Sequence, residues 1–247
     1  MKSVLVSIFV NPLQFGPNED FSAYPRTLND DVEKLQNLQK NYPDSEIIVF
    51  SPESTEIMFP KDHQTTIINK QMDKILCGKS RPGHFEGVCT VVYRLFKLLS
   101  PQVAYFGLKD YQQVQVIKRM VKDLMLDVEI KTCETIREVD GLALSSRNSF
   151  LNQKQRETAL SLFKALKELE EIIKGNEWSK ISAKVSSFVE VKLKENENYR
   201  WDYLEVHHPD LMTKLSNQHK DFVVLGAIYI GQTRLIDNLI IKGNEHC

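Results

Sequence analysis

Two short segments and a pair of glutamines hold the side chains best suited to chemistry. In FGLKDYQQ, residues 106–113, an apolar run ends at Gly107 and a helical pattern begins near Asp110. A helix start presents unpaired N–H groups and partial positive charge, and Lys109 adds a full charge beside it, which suits a phosphate. The same residues, Gly107, Leu108, Lys109 and Asp110, also fit an ordinary strand-to-helix turn capped by Asp110, because G-x-K-D is short and lacks the P-loop pattern. In DGLALSSRN, residues 140–148, Ser145, Ser146, Arg147 and Asn148 sit together in an irregular stretch. Hydroxyls and a guanidinium are phosphate donors, and the guanidinium can serve two oxygens at once. The competing reading is a turn in which Ser146 or Asn148 caps the next helix.

Gln14, after the first strand, and Gln113, one turn into the Lys109 helix, form a pair of neutral amides. Such a pair can orient a small polar ligand without changing its charge, although exposed glutamines are common without any role. Arg81 and His84 share a Pro-Gly loop, RPGHF, where a lone histidine is more often structural than catalytic. Asp30 and Asp31 open a helix; they are candidate Mg²⁺ ligands, with pairing to the helix dipole the favoured alternative. His207-His208 reads as chemically idle, without nearby Cys or carboxylate ligands.

Those residues need a scaffold. Residues 4–10 are a continuous apolar run ended by Asn11-Pro12, the pattern of a strand buried on both faces in a parallel sheet, and a central place is expected. A long proline-containing loop follows, and then a helix from Thr27, capped with the help of Asp30, carries Leu28, Val32, Leu35 and Leu38 on one face. Strands are expected at 46–50, 103–107 and 127–131. Between them CGKSRPGHFEG (77–87) reads as a loop, with amphipathic helices after it and over 109–124. Alternating strands and helices predict a doubly wound α/β fold for the first 135 or so residues, with ligands at the carboxyl ends of the strands. From residue 152 two charged helices, 153–174 and 177–195, precede β-rich segments, giving a smaller α+β unit and a junction near 136–150. Clefts form at such junctions, which favours chemistry for the Ser-Ser-Arg segment.

The 247 residues carry 32 basic and 33 acidic side chains, a net charge of -1, with 42% hydrophobic residues. That balance supplies no overall field for nucleic acid or an anionic membrane, so an anionic substrate must be held by local cations. Four widely spaced cysteines without a C-x-x-C predict neither disulfides nor zinc, and no apolar run is long enough to span a bilayer. A cytoplasmic protein is expected.

In order, VSIFVNPLQFGPNEDFSAYPR, SRPGHFEGV, FGLKDYQQ, DGLALSSRN and TRLIDN (233–238) closely resemble the pantothenate synthetase, or pantoate-β-alanine ligase, family over essentially the whole chain. The resemblance implies a Rossmann-like domain of the nucleotidyltransferase superfamily over 1–136, a smaller lid domain over 137–247, and a homodimer. It implies condensation of pantoate with β-alanine using ATP and Mg²⁺, through a pantoyl adenylate, with release of pyrophosphate and AMP. Gln14 and Gln113 match the pantoate-holding glutamines, Gln14 also lying near β-alanine. Gly107, Leu108, Lys109 and Asp110 match the ATP-binding G-E-K-D segment, Ile136 an adenine-side position, and Leu144, Ser145, Ser146 and Arg147 the L-S-S-R phosphate segment. Lys109 and Arg147 are the expected catalytic cations, and Asp30 and Asp31 the expected metal-side acids.

Two matches depart from the pattern: Leu108 replaces Glu, and Lys34 stands where some members supply a further magnesium-side amide. The family also carries, ahead of residues 4–10, another strand, a P-T-M-G-x-L-H-x-G-H turn and a helix, and no H-x-G-H occurs in these residues. The expectation is an amino-terminal part incomplete relative to the family, leaving an apolar sheet edge and half of the ATP cradle open. The alternative is a catalytically inactive or binding-only homologue.

Overall fold

The computed structural model describes residues 2–17, 19–174, 178–194 and 198–243. The first half runs β1 (Lys2–Ser7), a 3₁₀ turn (Pro12–Gln14), α1 (Leu28–Gln39), β2 (Ser45–Phe50), α2 (Thr55–Met58), α3 (Leu76–Ser80), α4 (His84–Leu99), β3 (Val103–Gly107), α5 (Tyr111–Asp123) and β4 (Glu129–Cys133). β1 pairs with β2 and β3 with β4, both parallel. They form two separate pairs, so β1 and β3 each keep one edge without a strand partner among the described residues.

Several expectations need correction. β1 stops at Ser7, and it is neither central nor buried: Val4 is 53% and Leu5 40% exposed. The physical reason is its single strand neighbour and a companion helix, α1, that buries none of its residues. Thr27 makes no capping bond to the backbone of α1; its hydroxyl donates to Asp31 instead. The expected loop 77–87 is largely helical. α3 and α4 occupy it, separated by a turn in which Gly83 has φ 83°. In α4, Val88, Val91, Val92 and Phe96 recur at helical spacing and are buried, and the helix ends where Ser100 turns left-handed.

The second half comprises a 3₁₀ turn (Ser146–Phe150), α6 (Gln153–Ile173), α7 (Trp178–Lys194), β5 (Arg200–His207), β6 (Phe222–Ile230) and β7 (Thr233–Ile241). Glu177 and Glu195, at the expected ends of the second charged helix, lie outside the described residues. Neither Ser146 nor Asn148 caps α6: Asn152 does, in a capping box with Gln155. The strands form one antiparallel sheet in the order β5-β6-β7, with a two-residue turn, Gly231-Gln232, joining Ile230 to its partner Thr233. Gly231 has φ 58°, which favours glycine in this tight turn.

Alternate residues of β6 enter two cores. Phe222, Val224, Ile228 and Ile230 pack with α6 and α7, while Val223, Leu225 and Ala227 pack with residues of α3, α4 and α5. Period-two burial on both faces makes this strand the link between the halves. Among the described residues no helix is long and apolar enough to cross a membrane. Cys77 and Cys89 are buried and free, Cys133 is exposed and free, and Cys247 lies outside the described residues.

Candidate active site

A cleft of about 260 Å³ opens where the segments that follow β1 and β3 meet β7 and the Ser146–Phe150 turn. Gln14, Arg81, His84, Lys109, Asp110, Gln113, Ser145, Arg147 and Arg234 all line it.

Gln14 is placed by close packing. Buried Asn11 accepts from the Leu13 N–H and donates through Nδ2 to the Gly87 carbonyl at 3.0 Å and to Gln14 Oε1 at 3.2 Å. Gly87 permits this approach, because a Cβ there would stand 2.3 Å from the Leu13 carbonyl oxygen. With Oε1 engaged, Nε2 of Gln14 is the amide atom left to donate to a ligand. His84 Nδ1–H donates to the Gln14 carbonyl at 2.8 Å, and Arg81 Nη2 donates to the same oxygen at 3.3 Å. Burial first and the Arg81 charge second push His84 down to about 4, so it is neutral at physiological pH and a fixed donor to Gln14.

On α5 two adjacent glutamines, Gln112 and Gln113, both line the cleft. Gln112 is buried and bonds Cys77 N, Met72 O and Ile75 O, tying α5 to α3. Lys109 stands in the 3₁₀ turn that leads into α5. Asn238 Nδ2, from β7, donates to the carbonyls of Leu108 and Lys109 at 2.9 and 3.0 Å and so fixes that turn. Asp110 occupies the cap position without a capping bond from its side chain. Beside Asn238, Asp237 holds Arg137 at 2.6 and 2.9 Å, pinning the junction between the halves.

Three of the four lysine and arginine side chains lining the cleft are paired. Arg81 bonds Glu19 at 2.6 and 2.5 Å, Arg147 bonds Asp20 twice at 2.7 Å, and Arg234 bonds Asp202 at 3.0 and 2.7 Å. Burial alone would raise the Glu19 carboxyl, but the bonds and charge of Arg81 outweigh it and hold it below its usual range. Asp20 is held low chiefly by its bond to Arg147. Lys109 has no carboxylate partner among the described residues, and Arg147 commits Nε and Nη2 to Asp20 while Nη1 has no protein acceptor there. Two lining residues thus keep a donor uncommitted, an arrangement able to receive phosphate or carboxylate oxygens.

The structure brings Gln14, Lys109, Asp110, Gln113, Ser145 and Arg147 to one cleft. Gly107, Leu108, Leu144, Ser146 and Ile136 do not line it; Ile136 is 70% exposed, and the Ser146 hydroxyl bonds the Tyr24 hydroxyl at 3.2 Å. Asp30 and Asp31 lie on the first turn of α1, outside the lining, with Asp31 paired to Lys34. Among the described residues no group of three or more His, Cys, Asp or Glu is placed to hold a metal. The histidine pair does have carboxylate neighbours, contrary to the sequence reading: His207 contacts Glu205 at 2.7 Å and His208 contacts Asp210 at 3.0 Å. Sequence reasoning gave no individual role to Asn11, Glu19, Asp20, Arg234, Asp237 or Asn238, which it used only as parts of the recognised segments. Their signal was faint, an acidic pair and polar residues inside those segments.

The sequence profile of the family described as pantoate-beta-alanine ligase matches residues 1–240. A pantothenate synthetase of Pseudothermotoga lettingae is 44% identical over 243 residues, which span 96% of this chain and 81% of that protein. One of Carboxydothermus hydrogenoformans is 45% identical over 241 residues, 97% of this chain and 82% of that protein. Among solved structures, the pantothenate synthetase of Thermus thermophilus superposes with a TM-score of 0.83 at 40% identity, covering 95% of this chain and 82% of that one. The pantoate-beta-alanine ligase of Francisella tularensis, solved with beta-gamma ATP and beta-alanine, superposes at 0.71 with 34% identity, covering 97% and 79%. With identities of this size over nearly all of its length, the chain belongs to the pantoate-β-alanine ligase family.

Proposed function

We propose that this protein condenses pantoate with β-alanine at the expense of ATP, through a pantoyl adenylate. The pantoate carboxylate attacks the α-phosphorus of ATP, the bond to pyrophosphate breaks, and the amine of β-alanine then displaces AMP from the acyl carbon and gives up a proton. The observation that carries the reading is the meeting of Lys109 and the free Nη1 of Arg147 with Gln14 and Gln113 in one cleft. The family relationship supports it.

In this reading Gln14 and Gln113 hold pantoate, with the β-alanine subsite beside Gln14. Lys109, Asp110, Ser145 and Arg147 form the phosphate side within the cleft, flanked by Gly107, Leu108, Leu144 and Ser146 of the same two segments, and the exposed Ile136 offers apolar surface to the adenine side. Negative charge grows on the phosphate oxygens and on the leaving pyrophosphate, and preorganised donors at those positions are typically worth about 10² to 10³ in rate each. The second step needs mainly proximity, since the mixed anhydride is already activated. Asp30 and Asp31 do not fit a protein-built magnesium cage; Mg²⁺ usually binds through substrate phosphates with one or two carboxylates, so here the ion would arrive on the nucleotide. A cytoplasmic homodimer completes the proposal, its assembly to be read by sedimentation.

Pantoate-dependent exchange of pyrophosphate into ATP tests the reading. The protein is expected to support it, and Lys109→Ala and Arg147→Ala are each expected to slow it by at least about tenfold. Unchanged rates in both variants would remove these cations from the site.

A further inference from the structure

Resting on that reading, we propose that the adjacent acids Glu19 and Asp20 are positioning residues that serve opposite halves of the site, Asp20 setting the phosphate-side Arg147 and Glu19 setting the Arg81 that holds Gln14. The two carboxylates stand side by side in one loop yet reach arginines from different elements, Arg81 at the end of α3 and Arg147 in the Ser146–Phe150 turn. Both arginines line the cleft, and neither acid does. The acids therefore back the guanidinium groups from outside the space a ligand would fill.

The atoms used show what each contact leaves available. Asp20 takes Nε and Nη2 of Arg147, fixing the guanidinium plane and leaving Nη1 without a protein acceptor among the described residues. Tyr24, from the same loop, adds its ring 5.5 Å from the Arg147 guanidinium and its hydroxyl to Ser146, so the loop grips the phosphate-side turn at two points. Glu19 takes Nε and Nη2 of Arg81, whose Nη2 also reaches the Gln14 carbonyl and whose Nη1 meets His84 Nε2 at 3.2 Å. One acid thus acts through a single arginine on phosphate, and the other acts through Arg81 and His84 on Gln14.

Calorimetry on the full chain, with ATP and pantoate as separate titrants, tests the division. Asp20→Asn is expected to weaken ATP binding about tenfold while pantoate binding stays within about twofold, and Glu19→Gln to show the reverse, the size expected for removing the partner behind a binding group. The charge-keeping Asp20→Glu and Glu19→Asp should recover part of each loss. Arg147→Lys, which keeps the charge but loses the fork, should match Asp20→Asn, and the double variant should be no worse than either single one. Parallel losses for both ligands in both acid variants would reduce the pair to loop anchors and overturn the inference alone. Tighter ATP binding by Asp20→Asn would overturn it too, by making Asp20 a competitor for Arg147. A wild-type chain that binds neither ligand would overturn the proposed function, and this inference with it.

Discussion

β1 and β6 are both apolar runs, VLVS and FVVLGAIYI at their cores, and they end in opposite circumstances. Every residue of β6 except Tyr229 is buried, whereas Val4 and Leu5 of β1 are half exposed. β6 has a strand on each side and a core on each face; β1 has one strand partner and a helix that buries nothing. Burial is thus decided by neighbours, and apolar composition only makes a strand able to use them. The β1 end of the site is held instead by polar ties, Asn11 to Gly87, Glu19 to Arg81 and Asp20 to Arg147.

That contrast can be broken or sharpened by urea unfolding. The largest effect is expected at Ile228→Ala in β6, about 4 kcal/mol, since a fully buried side chain leaves a cavity. A loss under about 1 kcal/mol there would mean that the β6 layer relaxes as readily as the β1 edge. Next comes Asp237→Asn, about 3 kcal/mol, because it strands the Arg137 guanidinium beside a buried amide.

His84 offers a third comparison, made by pH. Its folded form is held neutral down to about 4, while an unfolded histidine takes up its proton near 6.5, so the unfolded chain binds more protons between those values. Stability from this group is complete above about pH 6.5 and falls by up to about 3 kcal/mol as pH drops to about 4. His84→Asn should remove that component of the slope; an identical slope would show that other groups set it. Smallest of all is Val4→Ala, under about 1 kcal/mol, as befits a half-exposed side chain. A cost equal to that of Ile228→Ala would erase the distinction between the two strands.

Much of the architecture was legible because it rests on local patterns. The periodicity of α4 and α5, the strand over 103–107 and the antiparallel segments of the second half all appear close to where residue spacing puts them. The donor-rich segments around Lys109 and Arg147 stood out by residue type, although each also fitted an ordinary turn, and their place at a strand end and at the junction favoured chemistry. What stayed hidden depends on partners far away in sequence. Glu19 meets Arg81 across 62 residues and Asp20 meets Arg147 across 127, and nothing local distinguishes these acids from solvated ones. The helix α3 was missed because Pro82 and Gly83 advertised a loop that begins only after Ser80.

The two-residue turn at Gly231-Gln232 also bears on the order of events at the ribosome. Its hairpin joins residues adjacent in sequence, so it closes within microseconds once released, whereas the two parallel pairs must wait for crossovers of about twenty to forty residues. Translation releases this fast hairpin after everything it packs against. The α3–α5 layer, whose core β6 completes, therefore waits with apolar surface uncovered while the chain emerges, and that interval is when this protein has most need of a chaperone.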